Sequence, residues 1–464
     1  MKTFGQIRRR AAGAVAALGL IAASCHRAAD RPPNVVMVVI DTLRADRLGI
    51  YGNRRGLTPF LDQFSQRGVV FGNTYANSSW TVPSIASLFT SRYPSQHHAI
   101  TYGSPLGNAE VALAETLRDA HYTNAGFSAN YQLPEDLGYG QGFAHWMAHY
   151  EFGDKLRGLG LEWLDANWQR TSAQPVFLYF QYIEPHWPYD APEPFRSRFG
   201  RTDDGARPEP VAELRRLGAL AADGHAWTTE DFVPNGRLYD ATVAAADDQM
   251  RLLIAALEQR GFLDNAIVII TADHGEELGE HGGNLHGRTL YDESVRVPLI
   301  VVGKGIAAGR RVEENVSLID IAPTVLDLLG LPAEPRYEGR SLAPLLRATA
   351  DVPAASTRAR PSTPDVILEL LKMKTSFDER VHVRGILRGS IKYLEGPAGG
   401  EEAYDLASDP AERRPEPPTQ HASQLRSALK IEAARLRTNA AETVPEAKLD
   451  PETKEKLRVL GYRF

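Results

Sequence analysis

Residues Val35 to Ile40 are an unbroken apolar run, Val-Val-Met-Val-Val-Ile, that stops abruptly at Asp41. A strand with one wet face alternates apolar and polar residues. A run without alternation is buried on both faces, which requires a sheet covered by helices on either side. Comparable runs recur at Val176–Tyr182, Ala266–Thr271 and Pro298–Val302. Helical periodicity lies between them, as from Tyr239 to Arg260, where Gly261 supplies a C-terminal stop. Strands alternating with helices predict an α/β fold: a large mixed, mostly parallel sheet covered by helices on both faces. A chain of 464 residues can bury such a core without disulfides, and its single cysteine, Cys25, excludes internal disulfides and cysteine metal cages. With 52 basic against 58 acidic residues, nothing favours a nucleic-acid partner.

Both the first and the third run end in acid. Asp41 follows one, and Thr271-Ala-Asp273-His274 closes the other. Ligands of open parallel sheets bind beyond the carboxyl ends of the strands, so the two ends converge on one place. Asp41, Asp273 and His274 form a mixed oxygen and nitrogen set for one or two divalent ions, with Ca, Mn, Mg and Zn all compatible. The competing reading is that each Asp caps a helix. Glu276, Glu277 and Glu280 read as solvated, and His97, His98 and His281 as loop residues.

In Asn77-Ser-Ser-Trp-Thr81-Val-Pro83, the proline suits the first turn of a helix running through Leu88 and Phe89. Thr81 then sits at a helix N-terminus, which favours an anion. A hydroxyl there that also touches a cation is an activated nucleophile; a plain cap is the alternative.

The N-terminus pairs Lys2 and Arg8-Arg9-Arg10 with a short apolar stretch from Ala11 to Ala23. That stretch is shorter than the ~20 residues a span requires and has the form of a secretory signal. Its end, Ala22-Ala23-Ser24-Cys25, has the form of a lipobox. Cys25 is therefore the expected lipidation site, anchoring the protein to a membrane at the periplasmic or extracellular face of a bacterial envelope; plain secretion is the alternative. Residues 1–25 are read as signal, 26–33 as tether, 34–347 as catalytic domain and 348–365 as linker. A small α+β subdomain with a tail, 366–464, follows. It is built from a hairpin (Val381–Leu387, Ser390–Leu394), a strand at Glu402–Leu406 and a helix at Ser423–Arg437, with no evident chemistry of its own.

From Asn34 to Leu346 the chain resembles the sulfatase branch of the alkaline-phosphatase-like superfamily. The resemblance is carried by VVIDTLRADRLGIYG, TVPSIASLFTSRYP, FLYFQYIEPHWPY, YDATVAAADDQ, TADHGEELGEHG, HGRTLYDESVRVPLI and VSLIDIAPTVLDLLGL, in the family's order. It implies a metal-dependent hydrolase working through a covalent intermediate. Asp41, Asp273 and His274 match metal ligands, and Thr81 aligns with the nucleophile, where it would also touch the metal. His186 matches a substrate-side histidine, and His286 falls where a basic group, usually lysine, binds substrate. Asn77 and Arg92 are candidates either for contacting the substrate or for holding the helix, and Arg288 is a candidate substrate contact. The substrate is expected to be a small-molecule, glycan or lipid-headgroup ester, with the Arg201–Val233 insertion, including Trp227, as its determinant.

This chain also departs from the family pattern. The family's paired acids at the first strand are Asp41-Thr42 here, its signature arginine is Ile85, and Thr81 cannot become formylglycine. A formylglycine hydrate expels sulfate by elimination through its second hydroxyl. An ester on threonine lacks that hydroxyl, so water or an acceptor must attack phosphorus or sulfur directly. Phosphoryl groups are well handled that way, which favours phospho-ester over sulfate-ester chemistry, by hydrolysis or by transfer. A sulfatase proper and a catalytically silent lipid-anchored binding protein are the other readings.

Overall fold

The computed structural model describes residues 31–222, 228–347, 365–371, 382–396, 399–416 and 420–441, with a few isolated positions beyond. The signal, Cys25, most of the linker and Trp227 lie outside these residues. Eight strands form the main sheet: β1 (Asn34–Ile40), β2 (Gly68–Tyr75), β3 (Thr123–Ser128), β4 (His145–Ala148), β5 (Val176–Tyr182), β6 (Ala266–Thr271), β9 (Arg296–Gly303) and β10 (Arg310–Ser317). Between β6 and β9 a small ribbon pairs β7 (Glu277–Leu278) with β8 (Asn284–Leu285). The order is β10-β2-β9-β6-β1-β5-β3-β4, and only β9 runs antiparallel to its neighbours.

The apolar runs take the central positions because every residue of β1, β5 and β6 is buried. β9, read only as another buried run, is the antiparallel one. The helix Val233–Gln259 packs beside this sheet and ends before Gly261, whose φ of +70° is the left-handed stop its sequence implied.

Register places the site. Val39 pairs with both Gln181 and Thr271, and Gln181 pairs with Ser128. Two residues further along, Asn130, Asp41 and Asp273 leave three parallel strands at one level. The chain's acids and one amide thus meet at the carboxyl edge of the sheet.

The C-terminal subdomain is a four-stranded antiparallel sheet, β11 (Val366–Leu371), β12 (His382–Arg388), β13 (Ile391–Glu395) and β14 (Glu401–Asp405), with the helix Gln420–Thr438 packed on it. The hairpin turns on Gly389, with Arg388 opposite Ile391. β11 was not foreseen. It joins the subdomain to the main domain, where Glu369 N–H donates to the Asn77 carbonyl at 2.8 Å.

Candidate active site

Asp41, Asp273 and His274 are fully buried, and one ligand atom of each lies within 4.8 Å of the others. His274 Nε2 stands 3.7 Å from Asp41 Oδ1 and 3.6 Å from Asp273 Oδ2. His274 Nδ1 donates to the Gly275 carbonyl at 2.9 Å, which leaves Nε2 with its lone pair, the tautomer a metal ligand needs. Close backbone packing fixes this turn: a Cβ on Gly275 would lie 2.0 Å from the Glu293 carbonyl oxygen.

The residues fit a cation. Asp41 Oδ1, Asp273 Oδ2 and Thr42 Oγ1 are buried without a hydrogen-bond partner, an expensive arrangement for oxygen unless something positive meets it. Burial and then the Asp273 carboxylate hold the Asp41 carboxyl well above its ordinary range. Burial likewise raises Asp273, against the pull of His274. A divalent ion relieves both. Thr42 is a β-branched residue at φ +58°, a rare conformation, with Tyr239 Oη donating to its carbonyl at 2.6 Å.

Thr81 opens the helix Thr81–Thr90, but its hydroxyl caps nothing: Trp80 is the N-cap and makes no side-chain cap bond. Thr81 Oγ1 instead lies 3.3 Å from His274 Nε2 and 3.3 Å from Asn130 Nδ2. Ser84 Oγ, one turn along, donates to the Asp273 carbonyl at 2.5 Å and pins the helix to the loop that carries Asp273 and His274. Neither Asp41 nor Asp273 caps a helix.

His286 and His186 complete the cluster. The His286 ring centroid is 4.5 Å from that of His274 and 5.0 Å from that of His186. His286 Nδ1 donates to Glu276 Oε1 at 2.9 Å, and His186 Nδ1 donates to the Trp187 carbonyl at 2.5 Å. Burial, then His286, pushes His186 down to about 3, so it is neutral.

The structure corrects several expectations. Glu276 and Glu277 are fully buried rather than solvated, because the loop folds back under the sheet edge; burial lifts each to about 7. Glu280 pairs with the buried Arg44 at 2.5 Å. His97 is buried against Ser87 Oγ at 3.1 Å; His281, like His98, stays partly exposed but stacks on Tyr291 and bonds Glu293 at 2.6 Å. Asn77 does not reach the site. Its amide donates to the Ile367 carbonyl at 3.1 Å and its oxygen accepts from Ser317 Oγ at 2.9 Å, so it joins the two domains. Arg92 is likewise committed elsewhere, 3.2 Å from Glu110. Arg288 is exposed, two residues past His286.

Two residues escaped the sequence reading. Asn130 donates to Asp41 Oδ2 at 2.8 Å; it follows a strand, Thr-Asn-Ala-Gly-Phe-Ser, too polar to stand out as a buried run. Arg44 donates to the Glu276 carbonyl at 2.9 Å and to Asp46, tying the exit of β1 to the loop after His274. Beside this loop lies a cleft of about 680 Å³, lined by Thr228, Thr229, Glu230, Glu280, His281, Tyr291, Tyr404 and Arg413 among others.

A mostly parallel sheet that brings two carboxylates and an imidazole to a buried hydroxyl defines an alkaline-phosphatase-like hydrolase. The chain belongs to the Sulfatase family, whose model matches residues 33–331, and is an ester-hydrolysing enzyme. It is 25% identical to the Delta 4,5-hexuronate-2-O-sulfatase of Bacteroides thetaiotaomicron, over 86% of this chain and 87% of that protein. It is 26% identical to the multifunctional alkaline phosphatase superfamily protein PehA of Trinickia caryophylli, over 68% and 77%. The crystal structure of the phosphonate monoester hydrolase of Agrobacterium radiobacter superposes with a TM-score of 0.67 at 24% identity, covering 88% of this chain and 95% of that one.

Proposed function

We propose that Thr81 Oγ1 attacks an ester in line and carries the transferred group as a covalent intermediate, with phosphate esters preferred over sulfate esters. One observation carries this reading: the Thr81 hydroxyl, free of any capping role, stands 3.3 Å from His274 Nε2 at the ligand cluster. Asp41, Asp273 and His274 would hold a divalent cation (Ca, Mn, Mg or Zn), which when bound supplies positive charge beside the reacting oxygens.

The two outer histidines divide the proton work. His286 is backed by a carboxylate, Glu276, which supports the imidazolium and suits it to protonate the leaving oxygen. His186 Nδ1 donates to the Trp187 carbonyl and burial holds the ring neutral, which leaves Nε2 to orient the incoming water or acceptor alcohol by accepting its hydrogen bond. Exposed Arg288 is a candidate contact for the anionic group. The polar cleft beside the loop has room for the glycan or headgroup part of a substrate, and Thr228–Glu230, at the end of the insertion, lie on its wall.

The preference for phosphate rests on Thr81, because no second hydroxyl is present to drive elimination from a sulfated side chain. Sulfate-ester hydrolysis is the second reading, favoured by the likeness to the Bacteroides 2-O-sulfatase. Initial rates of the metal-loaded enzyme on aryl sulfate, phosphate monoester, phosphodiester and phosphonate monoester decide between them. The proposal expects a phospho-ester to be fastest, and an aryl sulfate outpacing all three reverses the assignment. For location, we propose a Cys25-linked lipid anchor at the periplasmic or extracellular face of a bacterial envelope, with plain secretion as the alternative. Among the described residues no helix is long and apolar enough to cross one. The mass of the mature N-terminal peptide tests it.

A further inference from the structure

We infer that Asn130 is a catalytic residue of the second half-reaction: its carboxamide stabilises Thr81 Oγ1 as that oxygen leaves the transferred group. The inference rests on Thr81 being the nucleophile. Asn130 is fully buried at the carboxyl end of β3, level with Asp41 and Asp273. The orientation of its amide is fixed by its partners. Asn130 Oδ1 accepts the Gln132 backbone N–H at 3.0 Å, and that group can only donate, so Nδ2 must be the atom turned towards Asp41 and Thr81. The Asn130 N–H donates to Ser128 Oγ at 3.1 Å and holds the turn. One hydrogen of Nδ2 goes to Asp41 Oδ2 at 2.8 Å; the other is directed to Thr81 Oγ1 at 3.3 Å.

A donor at this oxygen affects the two half-reactions differently. When Thr81 attacks, an N–H on Oγ1 steadies the deprotonated oxygen but also draws electron density from it, so the two effects largely offset. When the intermediate breaks down, water oxygen bonds to phosphorus or sulfur, the bond to Oγ1 breaks, and its electron pair departs on Oγ1. One proton of that water ends on Oγ1, and the other stays with the released acid or is lost to solvent. A threonine alkoxide is a poor leaving group, and this chain has no hydrated aldehyde to avoid forming one. A preorganised donor placed where the charge develops is the remedy open to the protein.

The test uses the full mature chain loaded with metal and a 4-nitrophenyl ester that the wild type turns over, comparing Asn130→Ala and Asn130→Asp with wild type. Aspartate keeps the size but presents oxygen in place of the donor, and it covers the case in which alanine fails to fold. Thermal unfolding and bound metal per chain are measured alongside. The expected result is a fall in kcat of about 10²-fold, while acid-quenched intact mass shows the fraction of chain carrying one transferred group rising to near completion. Bound metal stays at the wild-type level. An adduct fraction that falls together with kcat, or a kcat that does not change, overturns the inference while leaving Thr81 as nucleophile. An adduct absent from wild type and both variants during turnover removes Thr81 as nucleophile, and the inference with it.

Discussion

Thr81 Oγ1 and His274 Nε2 lie 3.3 Å apart although 193 residues separate them in the chain. The pair joins a helix N-terminus to the carboxyl end of β6, and the chemistry assigned to this protein depends on that meeting. Removing the hydroxyl in Thr81→Ala should lower kcat/KM by at least about 10³-fold. Thr81→Ser, which keeps the oxygen, should lie much closer to wild type. Initial-rate kinetics on a phosphate ester check both.

The buried oxygens of Asp41 and Asp273 make the fold itself sensitive to metal. Saturating divalent cation at about 100 times its dissociation constant should stabilise the wild type by about 2.7 kcal/mol. The melting temperature should rise correspondingly, and chelator should reverse the rise. In His274→Ala the cation should shift melting little. Differential scanning calorimetry with and without metal measures it.

Asp247 sits away from this cluster, with its two oxygens accepting the Phe60 and Leu61 N–H groups at 2.9 and 2.8 Å. Burial raises its carboxyl to about 7, from an ordinary value of 3.8. The folded state therefore holds a proton that the unfolded chain releases earlier. This contribution to stability is complete below the unfolded value and is lost as pH rises through the folded one. Asp247→Asn should flatten the fall in chelated-enzyme melting temperature between these two pH values. An unaltered slope would show that other groups set it.

Lys392, fully buried, bonds Asp292 at 2.9 Å and Glu412 at 2.8 Å, while the Asp292 N–H donates to Glu412 Oε2 at 2.6 Å. The C-terminal sheet thereby grips the segment that follows His286. Lys392→Met leaves two carboxylates facing each other without their cation, and should destabilise the protein by about 3–5 kcal/mol. Chemical denaturation at neutral pH, read by fluorescence, checks the loss.

The legible parts of this protein were those written as local pattern. β1, β5 and β6 are apolar without alternation, so their central burial followed directly, and the acids that close β1 and β6 could be read off the chain. The antiparallel sense of β9 did not, because a run buried on both faces reads the same in either direction. Glu276 and Glu277 looked solvated because acids next to glycines usually are; their burial depends on a fold-back that brings Thr289 and Ser294 to Glu277. Asn77 and Arg92 lie beside the Thr81 motif in sequence, yet their side chains turn to β11 and Glu110. Nearness in sequence carried no information about direction. Asn130 was invisible because a single amide after a strand has no pattern, and only the register with Gln181 and Val39 brings it level with the acids.

The most direct measurement of the central claim is the mass of the peptide containing Thr81 after acid quench during turnover of a phosphate ester. The account predicts one phosphoryl group on that peptide, localised by fragmentation to Thr81, appearing within the first turnover and absent from Thr81→Ala. A sulfuryl group trapped from an aryl sulfate that turns over faster would keep the nucleophile and reverse the substrate class. Full turnover with the peptide unmodified, or with Thr81→Ala still active, would contradict the account.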